Sequence, residues 1–226
     1  MLIWLVFLFF IPFGFSIFAQ RKIVKTFIKH NVLAERSLNG SRIATELLTL
    51  QGIHDVKIEK IKGNFTDNYD FSVKAIRLSN FVYSNHTISA VAVASYVTTK
   101  AIMYKKNDKT FMLFIKLQPF ASFVSSLGFS FLFLGLIFFF FAFINALISV
   151  IGVFLYFLAM GFYVYFLKME KRVSNKAYEL LETSGYLTPK EYEASLEVLK
   201  AYRFTYIAGI AIFLVRGFEG FRKIKK

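Results

Sequence analysis

Cysteine is absent from the 226-residue chain, which excludes disulfide scaffolds, thiolate metal sites and cysteine nucleophiles together. Histidine is scarce: His30, His54 and His86 are each read as solvated or locally bonded side chains. Charge is missing altogether from residues 1–19 and 117–167. Acidic groups number 14 against 28 basic ones, a formal charge of +14, while 56% of the chain is apolar and Phe alone fills 30 positions. A chain that is both very apolar and very basic points to a bilayer rather than to water alone. Nucleic acid is not expected as a partner, because neither a recognition helix nor an aromatic RNA-binding motif accompanies the charge.

The charge-free blocks are long enough to matter. Met1–Ala19, MLIWLVFLFFIPFGFSIFA, approaches the roughly 20 apolar residues that cross a hydrocarbon core of about 30 Å, and reads as a transmembrane anchor. A cleaved signal peptide is the competing reading, but no basic residue precedes the apolar run. Leu117–Leu167 suffices for two crossings, a helical hairpin, with Asn145 as the expected turn. Phe204–Val215 is short before Arg216 and reads equally as a short span, an interfacial helix or a segment packed on the other spans. Basic flanks mark cytoplasmic ends, so Arg21, Lys22, Lys25 and Lys29 place residues 20–116 inside, and Lys168, Lys171, Arg172 and Lys176 do the same for residues 168–203. The basic end of the 204–226 segment prefers the cytoplasm too, which conflicts with a full fourth crossing. Asn-x-Ser/Thr triplets beginning at Asn39, Asn64 and Asn85 are then coincidental.

The polar blocks carry helix and strand signals. Ser37-Leu38-Asn39-Gly40 supplies cap chemistry ahead of Ile43, Leu47, Leu48 and Leu50, so 41–51 reads as an amphipathic helix closed by Gly52. A strand pair is expected around Val56, Ile58 and Val73, Ile76, Leu78, with turn residues Lys62-Gly63-Asn64 and Thr66–Asp70 between them. Thr87 can cap a helix whose apolar residues Ile88, Val91, Ala94, Val97 and Ala101 recur at helical spacing. Glu170–Glu182 continues the preceding span as a solvated helix ending at Ser184-Gly185, and Thr188-Pro189-Lys190-Glu191 starts another that runs through Tyr202.

LNGSRIATELL at 38–48, GIHDVKIEKIKGNFTDNYD at 52–70, IRLSNFVY at 76–83, TISAVAVA at 87–94, Pro119, MEKRVSNKAYELLETSG at 169–185 and FTYIAG at 204–209 carry a resemblance. In that order they resemble the YugP-like family of neutral membrane zinc metallopeptidases, over nearly the whole chain. The resemblance implies an H-E-x-x-H motif directly after the stretch matched by TISAVAVAS, with two imidazoles one helical turn apart on one zinc and the glutamate as general base. This sequence has Tyr96 at the first ligand position, Val97 at the base position and Lys100 at the second ligand position. A phenol with pKa of about 10 is a poor neutral-pH ligand, valine accepts no proton, and an ammonium with pKa of about 10.4 repels a cation. The resemblance also suggests Glu170 as the residual third-ligand position, from an E-F-D-A-S segment whose aspartate is Arg172 here.

The sequence thus predicts a membrane α+β protein: an N-terminal anchor, a small cytoplasmic α+β region with a zincin-like helix, a transmembrane hairpin and C-terminal helices. No catalytic residue and no metal or other cofactor is expected. The expected role is that of an inactive homologue with a structural, binding or regulatory function in a membrane assembly, its partners being the lipid bilayer and another membrane protein or a second copy of itself. The alternatives are a hydrolase with a non-standard metal site around Glu170 and a histidine, or a structural protein binding anionic lipid through clusters such as Lys105, Lys106 and Lys109. Tyr96 and Lys100 also form the Y-x-x-x-K pair of short-chain dehydrogenases, but no glycine-rich dinucleotide fingerprint accompanies it. If the helices bearing Lys100 and Glu170 pack together, as zinc coordination in the family requires, the ammonium is expected to neutralise the carboxylate.

Overall fold

The computed structural model describes residues 2–36, 38–63, 65–137 and 142–204. The elements are α1 (Leu2–Lys29), α2 (Gly40–Leu50), β1 (Lys57–Ile61), β2 (Asn68–Asp70), β3 (Ala75–Ser79), α3 (Asn80–Ser84), α4 (Ile88–Lys105), α5 (Lys109–Ile137), α6 (Ala142–Ser184) and α7 (Pro189–Tyr202). They divide into two compact units. One holds the described residues within 2–21 and 113–168 together with Phe204; the other holds those within Lys22–Met112 and Met169–Arg203.

The first unit is helical and apolar. Lys109–Gly135 and Leu147–Ser184 are each long and apolar enough to cross a membrane, by length and composition. Small residues let their backbones approach within this unit: a Cβ at Gly152 would lie 3.0 Å from the Leu132 backbone nitrogen, and one at Gly128 would lie 3.3 Å from the Tyr156 nitrogen. Ser125 and Tyr163 share a hydrogen bond of 2.8 Å across the same pair, and the rings of Phe114 and Phe166 meet edge to face. Phe123, Val150, Phe154 and Phe157 point outward, a surface suited to lipid rather than to water. The turn expected at Asn145 is not there. Asn145 lies inside α6, because helix resumes at Ala142, and any connection falls in 138–141, outside the described residues. The apolar stretch expected from Phe204 to Val215 and the basic tail lie outside them beyond Phe204, as does Asn64.

The second unit is built around α4. Thr87 caps it by accepting from the Ala90 N–H (3.3 Å), and every residue from Ile88 to Thr99 is buried. A helix apolar around its whole circumference belongs in the middle of a core. Its hydroxyls are satisfied locally: Ser95, Thr98 and Thr99 donate to the carbonyls of Ala92, Ala94 and Ser95, each at 2.8 Å. Ser89 donates to the Phe27 carbonyl at the end of α1 (2.7 Å). Helix α2 buries Ile43, Ala44, Leu47 and Leu48, and Asn39 caps it by accepting from Arg42 N–H at 2.8 Å. At its first residue, Gly40 lies so close to α3 that a Cβ would fall 2.1 Å from the Val82 carbonyl oxygen.

The strand pair is a correction. There are three strands in the order β1-β3-β2, with β1 parallel to β3 and β2 antiparallel to it. Residues 68–70, expected as a turn, form β2 because Tyr69 buries its ring and Asp70 reaches Arg77 on β3 at 2.6 Å. Val73 is exposed in the following turn, which Asp70 organises by accepting the Ser72 and Val73 N–H groups. Helix α7 starts as expected: Glu191, three residues after Thr188, accepts the Thr188 backbone N–H at 2.9 Å.

Candidate functional site

The site lies where α4, α6 and α7 meet within the second unit. Tyr96 and Lys100 are one turn apart on α4 and so share a face. Glu170, on α6, is 2% exposed. Its carboxylate accepts a hydrogen bond from the Tyr96 hydroxyl at Oε2 and one from Lys100 Nζ at Oε1, the latter at 2.9 Å. The Lys100 ammonium also lies 4.6 Å from the centroid of the Tyr96 ring, so the phenol both bonds the carboxylate and presents its π face to the cation. Lys100 keeps 18% of its side chain accessible, against 2% for Glu170. Lys100 and Glu170, expected as partners if their helices pack, are an ion pair.

Val97, between the two in sequence, is buried, and its side chain offers neither donor nor acceptor. One carboxylate, one phenol and one ammonium meet at this point.

Arg172, which stands where the family segment has an aspartate, pairs with a different carboxylate. It grips Asp108 with both ends of its guanidinium, at 2.9 and 2.7 Å. Asp108 in turn accepts the Phe111 N–H at the start of α5 (3.0 Å). Partial burial works against the charge on Asp108, but this N–H and Arg172 together hold its carboxyl below the ordinary value.

The histidines lie elsewhere. His30 Nε2 is 2.7 Å from Glu197 Oε2, which Lys29 also contacts at 2.7 Å; these two partners bring Glu197 down to about 2. His54 is exposed after α2, and His86 is half-buried before α4. Among the described residues, no group of three or more His, Cys, Asp or Glu side chains is arranged to hold a metal ion.

Three residues that sequence reasoning did not single out complete the surroundings. Tyr202, near the end of α7, packs edge to face on Tyr96 with centroids 5.4 Å apart, and burial, then the charge of Asp67, pushes its phenol well above 10. Asp67 is held by the Ser79 N–H at 2.7 Å and the Ser79 hydroxyl at 3.3 Å, and burial raises its carboxyl. Arg203 donates to Ser174 Oγ at 3.3 Å and Asn175 Oδ1 at 2.9 Å. In sequence Asp67 is one more polar residue in a turn-like cluster, and Tyr202 one more aromatic on a helix; neither carries a spacing signal toward Glu170.

The chain thus has two helices long and apolar enough to cross a membrane, and a polar unit whose central buried helix α4 faces a carboxylate on α6. The family described as "Putative neutral zinc metallopeptidase" matches residues 4–217, and the chain belongs to it. A relative described as "Putative membrane protease YugP", from Bacillus subtilis (strain 168), is 30% identical over 204 residues, 89% of this chain and 88% of the relative. No solved structure matches the chain.

Proposed function

We propose that this chain is a catalytically inactive member of its family. In this reading Tyr96, Val97 and Lys100 occupy the positions where an active relative would carry the two histidines and the glutamate of H-E-x-x-H. The protein then serves a structural, binding or regulatory role in a membrane assembly, with the bilayer and a membrane-protein partner or a second copy as its contacts. The polar unit faces the cytoplasm.

The observation that carries the reading is the occupancy of Glu170. Both carboxylate oxygens accept from protein donors, and one donor is an ammonium 2.9 Å away. A divalent cation at that carboxylate would meet a positive charge, with a phenol in place of an imidazole and no histidine in the set. These residues do not fit zinc. Hydrolysis by a zincin needs a metal to lower the pKa of bound water to about 7 and a base to take its proton, and valine cannot be that base. No hydrolytic step is therefore derived through this site.

The test is proteolysis by the full chain in mild detergent, with casein and a membrane-protein substrate, with and without chelator. The expected result is no chelator-sensitive cleavage of either. Cleavage that a chelator abolishes and zinc restores would end the inactive reading.

A further inference from the structure

We infer that the Lys100 ammonium has taken over the mechanical task of the family's metal cation: with the Tyr96 hydroxyl it ties α4 to α6 through Glu170, so that the polar unit holds together without a divalent ion. This goes beyond loss of catalysis and rests on the preceding reading in taking positions 96 and 100 as former ligand positions.

The argument starts from Glu170. A carboxylate with 2% exposure is far from water and needs compensation by charge and hydrogen bonds. A bound cation would give both. Here two donors one helical turn apart on α4, the spacing at which two side chains converge on one point, give the same two things. Tyr96 satisfies one oxygen, and Lys100 satisfies the other and cancels the charge. Tyr202 packs edge to face on the Tyr96 ring, so α7 fixes the phenol and the tie spans three helices.

The two partners are not equally buried, and this gives the inference a signature. Glu170 has no route to solvent, whereas Lys100 keeps 18% of its side chain accessible and can carry its charge outward along a flexible stem. Removing the ammonium strands a charge inside. Converting the carboxylate to an amide strands no charge: Gln can still accept from Tyr96 while Lys100 turns to water, and only the smaller cost of a buried amide N–H remains. An ion pair that does not hold the helices together would show no loss in Lys100→Met, and a site awaiting a metal would show wild type stabilised by zinc.

The experiment is thermal unfolding of the full chain in mild detergent, with chelator and with added zinc, for wild type, Lys100→Met, Glu170→Gln and the double variant. Wild type should melt at the same temperature with chelator or zinc. Lys100→Met should melt about 6 °C or more lower, Glu170→Gln by less than half as much, and the double variant within about 2 °C of Glu170→Gln. If Lys100→Met does not accumulate, the double variant is decisive: its folding supports the tie, and its failure overturns it. A Lys100→Met protein as stable as wild type, a double variant that loses the sum of the two, or wild type stabilised by zinc would each overturn it. Chelator-sensitive proteolysis by wild type would defeat the inactive reading while leaving this coupling result standing, so the two failures are distinguishable.

Discussion

Two buried or partly buried carboxylates in the polar unit are stabilised differently. Glu170 is neutralised by a cation, whereas Asp67 is held by hydrogen bonds from Ser79, and burial raises its pKa. A folded-state pKa above the unfolded one contributes stability that is fully present below the unfolded value and lost as pH rises through the raised folded value. Ionised Asp67 is thus a burden at neutral pH. Asp67→Asn keeps an acceptor for the Ser79 N–H and removes the charge, so it should melt at or above wild type at pH 7, with the advantage shrinking on acidification through the raised pKa. An advantage that grows with acidification would contradict this. At this scale the Lys100–Glu170 partnership was legible only through the family resemblance, which implies that their helices pack together; the Tyr96 hydrogen bond to the same carboxylate was not foreseen. Nor was the direction of Arg172: its side chain follows Asp108, a carboxylate 64 positions away whose capping role only the fold reveals.

Among the elements, α4 announced itself through Thr87 and apolar residues at helical spacing, but a helix buried on all sides has weak periodicity, and its central position is a tertiary fact. The sheet was harder. Turn-forming residues at 66–70 outweighed β propensity locally, while the pairing of Asp70 with Arg77 and the burial of Tyr69 make β2 a strand. Likewise Asn145 sits within helix, since one polar side chain in an apolar run does not break backbone hydrogen bonding. The basic flanks of the long helices bear on orientation. Residues before and after the apolar block contribute to one compact unit, and the proposal that this unit faces the cytoplasm rests on the Lys and Arg bias of the flanks. The chain has no native cysteine, so single Lys57→Cys and Lys190→Cys variants report cleanly. Both should react with an impermeant thiol reagent only after the membrane is opened. Labelling of either in intact cells would reverse the assignment.

For the whole molecule, family membership and the split between apolar and polar parts were readable, because charge-free blocks and a long run of matching segments survive without knowledge of contacts. The consequence of the motif alteration we propose was only half readable. Sequence shows which side chains stand at 96, 97 and 100; the fold shows that two of them close on the same carboxylate, one on each oxygen. Restoring a metal site would therefore mean displacing an ion pair as well as adding histidines, which is why neither Tyr96→His nor Lys100→His alone would recreate one. The most direct measurement is the zinc content of the full-length protein purified without chelator and then equilibrated with excess zinc and desalted. The account predicts zinc far below stoichiometry; about one zinc per chain, retained through desalting and lost in Glu170→Gln, would contradict it.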